Sequence, residues 1–102
     1  MEGSMTGVYV TFQYDGDFDR SRVAQVAQNA RGMFEGMPGL RFKFFTFDEK
    51  EKRAVNFYVW ESDGAAEGFF TEELRERVTA LYGVKPSVNF VEIAQIVDNS
   101  GS

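Results

Sequence analysis

The side chains best suited to chemistry alternate along one short stretch, Arg53 to Glu61 (RAVNFYVWE). A strand turns successive side chains to opposite faces. Asn56, Tyr58 and Trp60, the sole tryptophan, therefore share one face, and Val55, Phe57 and Val59 share the other. An amide can donate to an oxygen that gains negative charge in a reaction. Phenol and indole rings can stack on a planar molecule while each keeps a polar handle. A strand face turned to water would be expected to carry charges at those positions instead. Two cations, Arg41 and Lys43, lie on the preceding stretch Leu40 to Asp48 (LRFKFFTFD) and can stabilise a phenolate. Lys43 qualifies as a base only if burial lowers its pKa.

The rest of the composition narrows the chemistry. The chain has 102 residues, enough for one core. Hydrophobic residues make up 43% and aromatics 16%, which marks a folded domain rather than a disordered chain. The net charge of -5 and the lack of a basic stripe argue against a nucleic-acid partner. No apolar run is long enough to span a membrane and no signal-peptide pattern opens the chain, so a cytoplasmic location is expected. Cysteine is absent, which removes disulfides, a thiol nucleophile and thiolate metal sites. Histidine is absent too, which removes the commonest base and transition-metal ligand. No cofactor and no metal are expected.

The elements that must position these residues follow from periodicity. Val8 to Tyr14 (VYVTFQY) reads as a strand. Asp15-Gly16-Asp17 is turn chemistry, and Asp19 can cap a helix running to about Glu35, with Val23, Val26, Ala27, Ala30 and Phe34 at helical spacing. Gly36 stops that helix and Met37-Pro38-Gly39 turns the chain. Leu40–Asp48 and Arg53–Glu61 are strands joined by the charged loop Glu49–Lys52. A second helix starts at Ser62 or Asp63, with Ala66, Phe69, Phe70, Leu74, Val78 and Leu81 on its apolar face and a possible break at Thr71. Gly83 ends it, and Ser87–Val97 forms the last strand. The order βαββαβ predicts a ferredoxin-like α+β fold: a four-stranded antiparallel sheet with both helices on one face. The domain is expected over residues 6–98, with a flexible N-terminus or expression remnant at 1–5 and a flexible tail at 99–102.

Other charged groups have structural readings. The carboxylates of Asp15, Asp17 and Asp19 lack the remaining ligands of a calcium loop and suit a turn leading to a cap. Glu72, Glu73, Arg75, Glu76 and Arg77 fit a solvated helix face. Glu92 would point toward the helices by alternation with Val88 and Phe90, unless the strand ends or bulges there.

Pairing the two central strands around the Glu49–Lys52 loop sets Phe45 opposite Asn56, Lys43 opposite Tyr58 and Arg41 opposite Trp60. Putting Arg41 and Lys43 under the helices would be costly. The expectation is therefore that Leu40, Phe42, Phe44, Val55, Phe57 and Val59 meet the helices. The mixed set Arg41, Lys43, Phe45, Asn56, Tyr58 and Trp60, joined by Tyr9, Thr11 and Gln13, would form the open face. Two copies packed through that face would make a homodimer, either as a plain interface or around a pocket for a small aromatic molecule.

The PGL turn (Pro38–Leu40), the LRFKFFT strand and the FYVWESDGAAEGFF junction (Phe57–Phe70) resemble the dimeric α/β-barrel superfamily from about Thr6 to Asp98. Within it the chain looks most like the small YdhR-type proteins described as monooxygenases, relatives of the antibiotic-biosynthesis monooxygenases. The Asn56-x-x-x-Trp60 spacing resembles the cavity-facing Asn and Trp on their third strand. The resemblance implies two protomers forming a dimeric α/β barrel and a cofactor-independent monooxygenase acting on a phenolic or polycyclic substrate with O2. Asn56, Trp60 and Lys43 would be catalytic, and Tyr9, Thr11, Arg41, Phe45 and Tyr58 would bind substrate. The alternative is a non-catalytic barrel that binds a small molecule or only dimerises.

Overall fold

The computed structural model describes residues 5–100; the expectations for residues 1–4 and 101–102 lie outside the described residues. The element order is β1 (Thr6–Gln13), α1 (Arg20–Phe34), β2 (Leu40–Asp48), β3 (Arg53–Trp60), α2 (Asp63–Phe69), α3 (Glu72–Tyr82) and β4 (Ser87–Glu92). The four strands form one antiparallel sheet in the order β2-β3-β1-β4. The fold is ferredoxin-like, with its second helix in two pieces.

The helix ends follow from their capping chemistry. Asp19 accepts from the Arg22 amide at 3.1 Å, Ser62 from Ala65 at 3.1 Å and Thr71 from Leu74 at 3.2 Å, so each satisfies an orphan donor of a first turn. Thr71 thereby starts α3 directly after α2 ends. Gly83 closes α3 in the left-handed conformation with its N–H donating to the Thr79 carbonyl at 2.8 Å. Gly39 is also left-handed, at φ 84°, and a Cβ there would lie 3.1 Å from the Ala65 Cβ. Its carbonyl accepts from the Glu61 amide at 2.9 Å, which ties the turn after α1 to the end of β3.

The hairpin pairs as expected at Phe45↔Asn56 and Lys43↔Tyr58. The faces of β2 and β3 are the reverse of the expectation, whereas Tyr9, Thr11 and Gln13 of β1 lie on the open face as expected. In β1, Val8 pairs with Tyr58 and Val10 with Asn56; both valines are buried in the core with Phe12. Asn56, Tyr58 and Trp60 consequently face the helices. Phe42, Phe44, Val55, Phe57, Tyr9 and Thr11 fall on the open face, where Phe44 is 52% and Tyr9 42% exposed.

The physical reason lies in two residues. A bulge between Leu40 and Phe42 leaves Arg41 without a partner strand residue, exposed, while Leu40 pairs with Trp60 and packs on the core. Arg41 thus escapes the helix side, and the expected Arg41–Trp60 pair does not form. Lys43 does go under the helices, where aromatic rings surround it.

Two further corrections concern the ends of elements. Leu81 is 47% exposed, and Tyr82 takes its place on the buried face of α3. β4 stops at Glu92 rather than continuing to Val97, because β1 runs out at Thr6, its partner. Glu92 therefore keeps the alternation yet stays in solvent at the strand end.

Candidate functional site

The helix-facing layer of β2 and β3 carries five of the eight candidate residues. Asn56 and Trp60 are 5% and 1% exposed; Tyr58 lies between them, stacked at 5.9 Å on Trp60. Phe45 and Lys43 continue the layer on β2. The remaining three lie elsewhere. Tyr9 packs on Phe57 at 4.5 Å on the open face, Thr11 shares that face, and Arg41 stands at the bulge.

Asn56 is held from both sides. β3 fixes its backbone in the centre of the sheet, and its side-chain amide donates to the Tyr82 hydroxyl at 3.1 Å. The Tyr82 ring lies flat on Phe12 at 3.8 Å and 6°. Its backbone carbonyl accepts from the Tyr14 hydroxyl at 2.7 Å, which pins the end of α3 to the exit of β1. Burial pushes the Tyr82 phenol up from its ordinary value, and the Asn56 hydrogen bond pulls it partly back. Burial likewise raises Tyr58, with a smaller contribution from Tyr82. The layer thus stacks a planar phenol on a ring and holds its oxygen with an amide, all within one chain.

Two donors in this layer lack partners. Among the described residues, the buried side-chain polar atoms with no hydrogen bond are the Lys43 Nζ and the Trp60 Nε1. Such groups are rare and expensive, because each has lost its water and gained nothing polar in return. The Lys43 Nζ lies 3.5 Å from the Phe45 ring centroid, 4.3 Å from Tyr58 and 4.7 Å from Phe34. The ring faces attract a cation by about 0.5–2 kcal/mol each way of counting. Burial disfavours the cation more strongly, and it lowers the Lys43 pKa from 10.5 to about 7. Lys43 is therefore poised between ammonium and free amine at neutral pH, as a base would need to be.

Sequence reasoning did not find Tyr82, Phe12, Phe34, Phe69 or Phe70 as walls of this layer. Phe69 and Phe70 meet at 4.9 Å and edge onto Tyr58 and Trp60. The missed signal for Tyr82 was its spacing of four from Val78, which continues the buried stripe of α3.

Space in the layer is scarce. The cavity beside Asn56, bounded by Val10, Phe12, Tyr58, Phe70, Leu74 and Val78, measures about 10 Å³. That is barely the roughly 10–15 Å³ one water needs. A larger cleft of about 290 Å³ opens between the end of α1 and β2, with Lys43, Phe34 and Phe45 in its wall.

No family model matches the chain, and no curated protein matches it. Solved structures do share its fold over nearly the whole length. A monooxygenase from the gene ActVA-Orf6 of Streptomyces coelicolor, in complex with Nanaomycin D, is 21% identical at a TM-score of 0.68, over 95% of this chain and 94% of that one. A protein of unknown function from Nitrosomonas europaea is 12% identical at 0.72, over 99% and 100%. SnoaB, a cofactor-independent oxygenase from Streptomyces nogalater, is 14% identical at 0.62, over 93% and 97%. Further matches include proteins described as antibiotic-biosynthesis monooxygenases. These likenesses establish the fold that the resemblance implied. No helix among the described residues is long and apolar enough to cross a membrane.

The Lys43 arrangement predicts how stability depends on pH. Below about pH 7 the folded and unfolded chains both carry the proton, and the folded chain bears the full cost of burying it. Between about 7 and 10.5 the folded chain releases a proton that the unfolded chain keeps, so stability rises with pH across that window. Lys43→Met should remove this slope. Urea unfolding should find it more stable than the parent near pH 6, by an amount on the order of a few kcal/mol, with the gap closing toward pH 10. A gap that is constant with pH would contradict the assignment.

Proposed function

We propose that this protein is a cofactor-independent monooxygenase that oxidises a planar phenolic substrate with O2 between the sheet and the helices of each protomer. The observation that carries the reading is the hydrogen bond from the Asn56 amide to a phenolic oxygen in a dry aromatic layer. In the proposed complex a substrate phenol takes the place of the Tyr82 ring. Asn56 then donates to the oxygen that gains charge, and Trp60 offers its unpartnered N–H to a second acceptor. Lys43, as free amine, accepts the substrate proton. The anion gives up electrons to O2, and a ring CH2 plus O2 becomes C=O plus H2O, with no further reductant. Tyr58 and Phe45 supply stacking surface. The bound monooxygenase of Streptomyces coelicolor, whose ligand is the aromatic Nanaomycin D, supports the class of substrate.

Entry requires the layer to open, since the cavity beside Asn56 holds at most one water. The natural pivots for α3 are the break at Phe70–Thr71 and the left-handed Gly83. The same small cavity favours a second reading, a barrel protein in which this layer is only a core. Oxygen uptake decides between them. With a panel of anthrones and polycyclic phenols, uptake should appear, rise with pH through about 7, and fall about a hundredfold in Asn56→Ala. Uptake that is absent with every compound, or unchanged in Asn56→Ala, would remove the enzyme reading.

We also propose that the protein is a homodimer through the open sheet face. Phe42, Phe44, Phe57 and Val59 line a groove of about 950 Å³ there with residues 93 and 95–100. An apolar surface of this kind is seldom left to water. The site then belongs to each protomer and does not lie between two sheets, as the opposite facing had required. Sedimentation should give a dimer for the parent chain and a monomer for Phe44→Glu. A folded parent monomer at micromolar concentration would refute the interface.

A further inference from the structure

We propose that Lys43 is a covalent site for planar aromatic aldehydes, with which its amine condenses to an imine at the wall of the cleft between α1 and β2. The inference goes beyond oxygen chemistry and stands without it.

Position sets this lysine apart. Lys50, Lys52 and Lys85 are exposed, whereas the Lys43 Nζ is buried with no acceptor. An ammonium there would leave all its donors unsatisfied. A free amine leaves fewer, and it keeps the lone pair that attacks carbonyl carbon. Phe34, Phe45 and Tyr58 bring ring centroids within 4.7 Å of the nitrogen, so the surroundings suit an aromatic ring attached to the reacting carbon.

The Lys43 side chain borders a cleft of about 290 Å³, at the small end for a ligand pocket, and the aldehyde reaches the buried nitrogen from there once the side chain swings toward that wall. The charged walls of the cleft are Arg31, Glu35 and Arg41. Arg31 is paired with Glu35 at 3.6 Å, which leaves Arg41, with no ion pair among the described residues, to favour a carbonyl oxygen. The titratable phenol facing the amine is Tyr58, which burial keeps protonated and uncharged.

The reaction balances without an oxidant or reductant. The nitrogen lone pair forms the N–C bond and the carbonyl electrons move to oxygen, which takes a proton. The carbinolamine then loses water, both amine hydrogens leaving with the carbonyl oxygen, to give C=N.

The test is reductive trapping on the intact chain. Benzaldehyde and cyanoborohydride are added near pH 7, and adducts are mapped by peptide mass spectrometry. The terminal α-amine, itself reactive near neutrality, is scored separately. Modification of Lys43 should exceed that of each exposed lysine by at least about tenfold, and urea should abolish the preference. Equal modification of all four lysines, or modification of Lys43 only in urea, would overturn the proposal. Lys43→Met, checked for folding by circular dichroism, should lose only the Lys43 adduct; an unchanged total would count equally against it.

Discussion

Burying one amine among aromatic rings is the constraint on which the arrangement of this molecule turns. Lys43 sits beneath α1 with Phe34, Phe45 and Tyr58 around its nitrogen and no acceptor in reach. A permanent charge there would cost more than the rings return, so the group lowers its pKa instead. Because Lys43 takes the inner face, Tyr58 and Asn56 take it too, by pairing across the hairpin and by alternation along β3. A guanidinium cannot shed its proton as an amine can, and Arg41 does not follow. The bulge beside it places it outside and restores Leu40 to the core.

The sequence made much of this legible. Capping residues and glycines marked the helices closely, from Asp19 through Thr71 to Gly83. The fold class followed from element order, and the hairpin register at Phe45↔Asn56 and Lys43↔Tyr58 from loop length. The facing of the sheet was not legible, because both alternating sets of β2 and β3 are aromatic-rich. The cost of burying lysine and arginine was the deciding argument, and it treated the two alike. Arginine was indeed excluded from the core, but lysine could enter as a neutral amine. The bulge that separated them has no signature in LRFKFFT. Tyr82 was hidden for a related reason: a residue at the last helical position reads equally well as a surface phenol.

The observed facing changes what the site can mean within one protomer. An amide, an indole and an amine share a layer between sheet and helices rather than an opening between two sheets. Tyr82 fills the place where an outside phenol would lie, stacked on Phe12 and held by Asn56. The closed layer shields its polar groups from water, and under the proposed function its opening is the step a substrate must drive. The apolar open face is left for a different task, and a second copy suits it better than solvent does.

The most direct test of this account is the titration of the four lysine side chains by NMR, with 13Cε and 15Nζ labels, in the folded chain. The account predicts that one lysine, assigned to Lys43 by its loss in Lys43→Met, titrates near 7. A Lys43 signal that does not titrate near 7 would mean that Lys43 keeps its charge in water, and the inner layer would then be neither dry nor suited to the proposed chemistry.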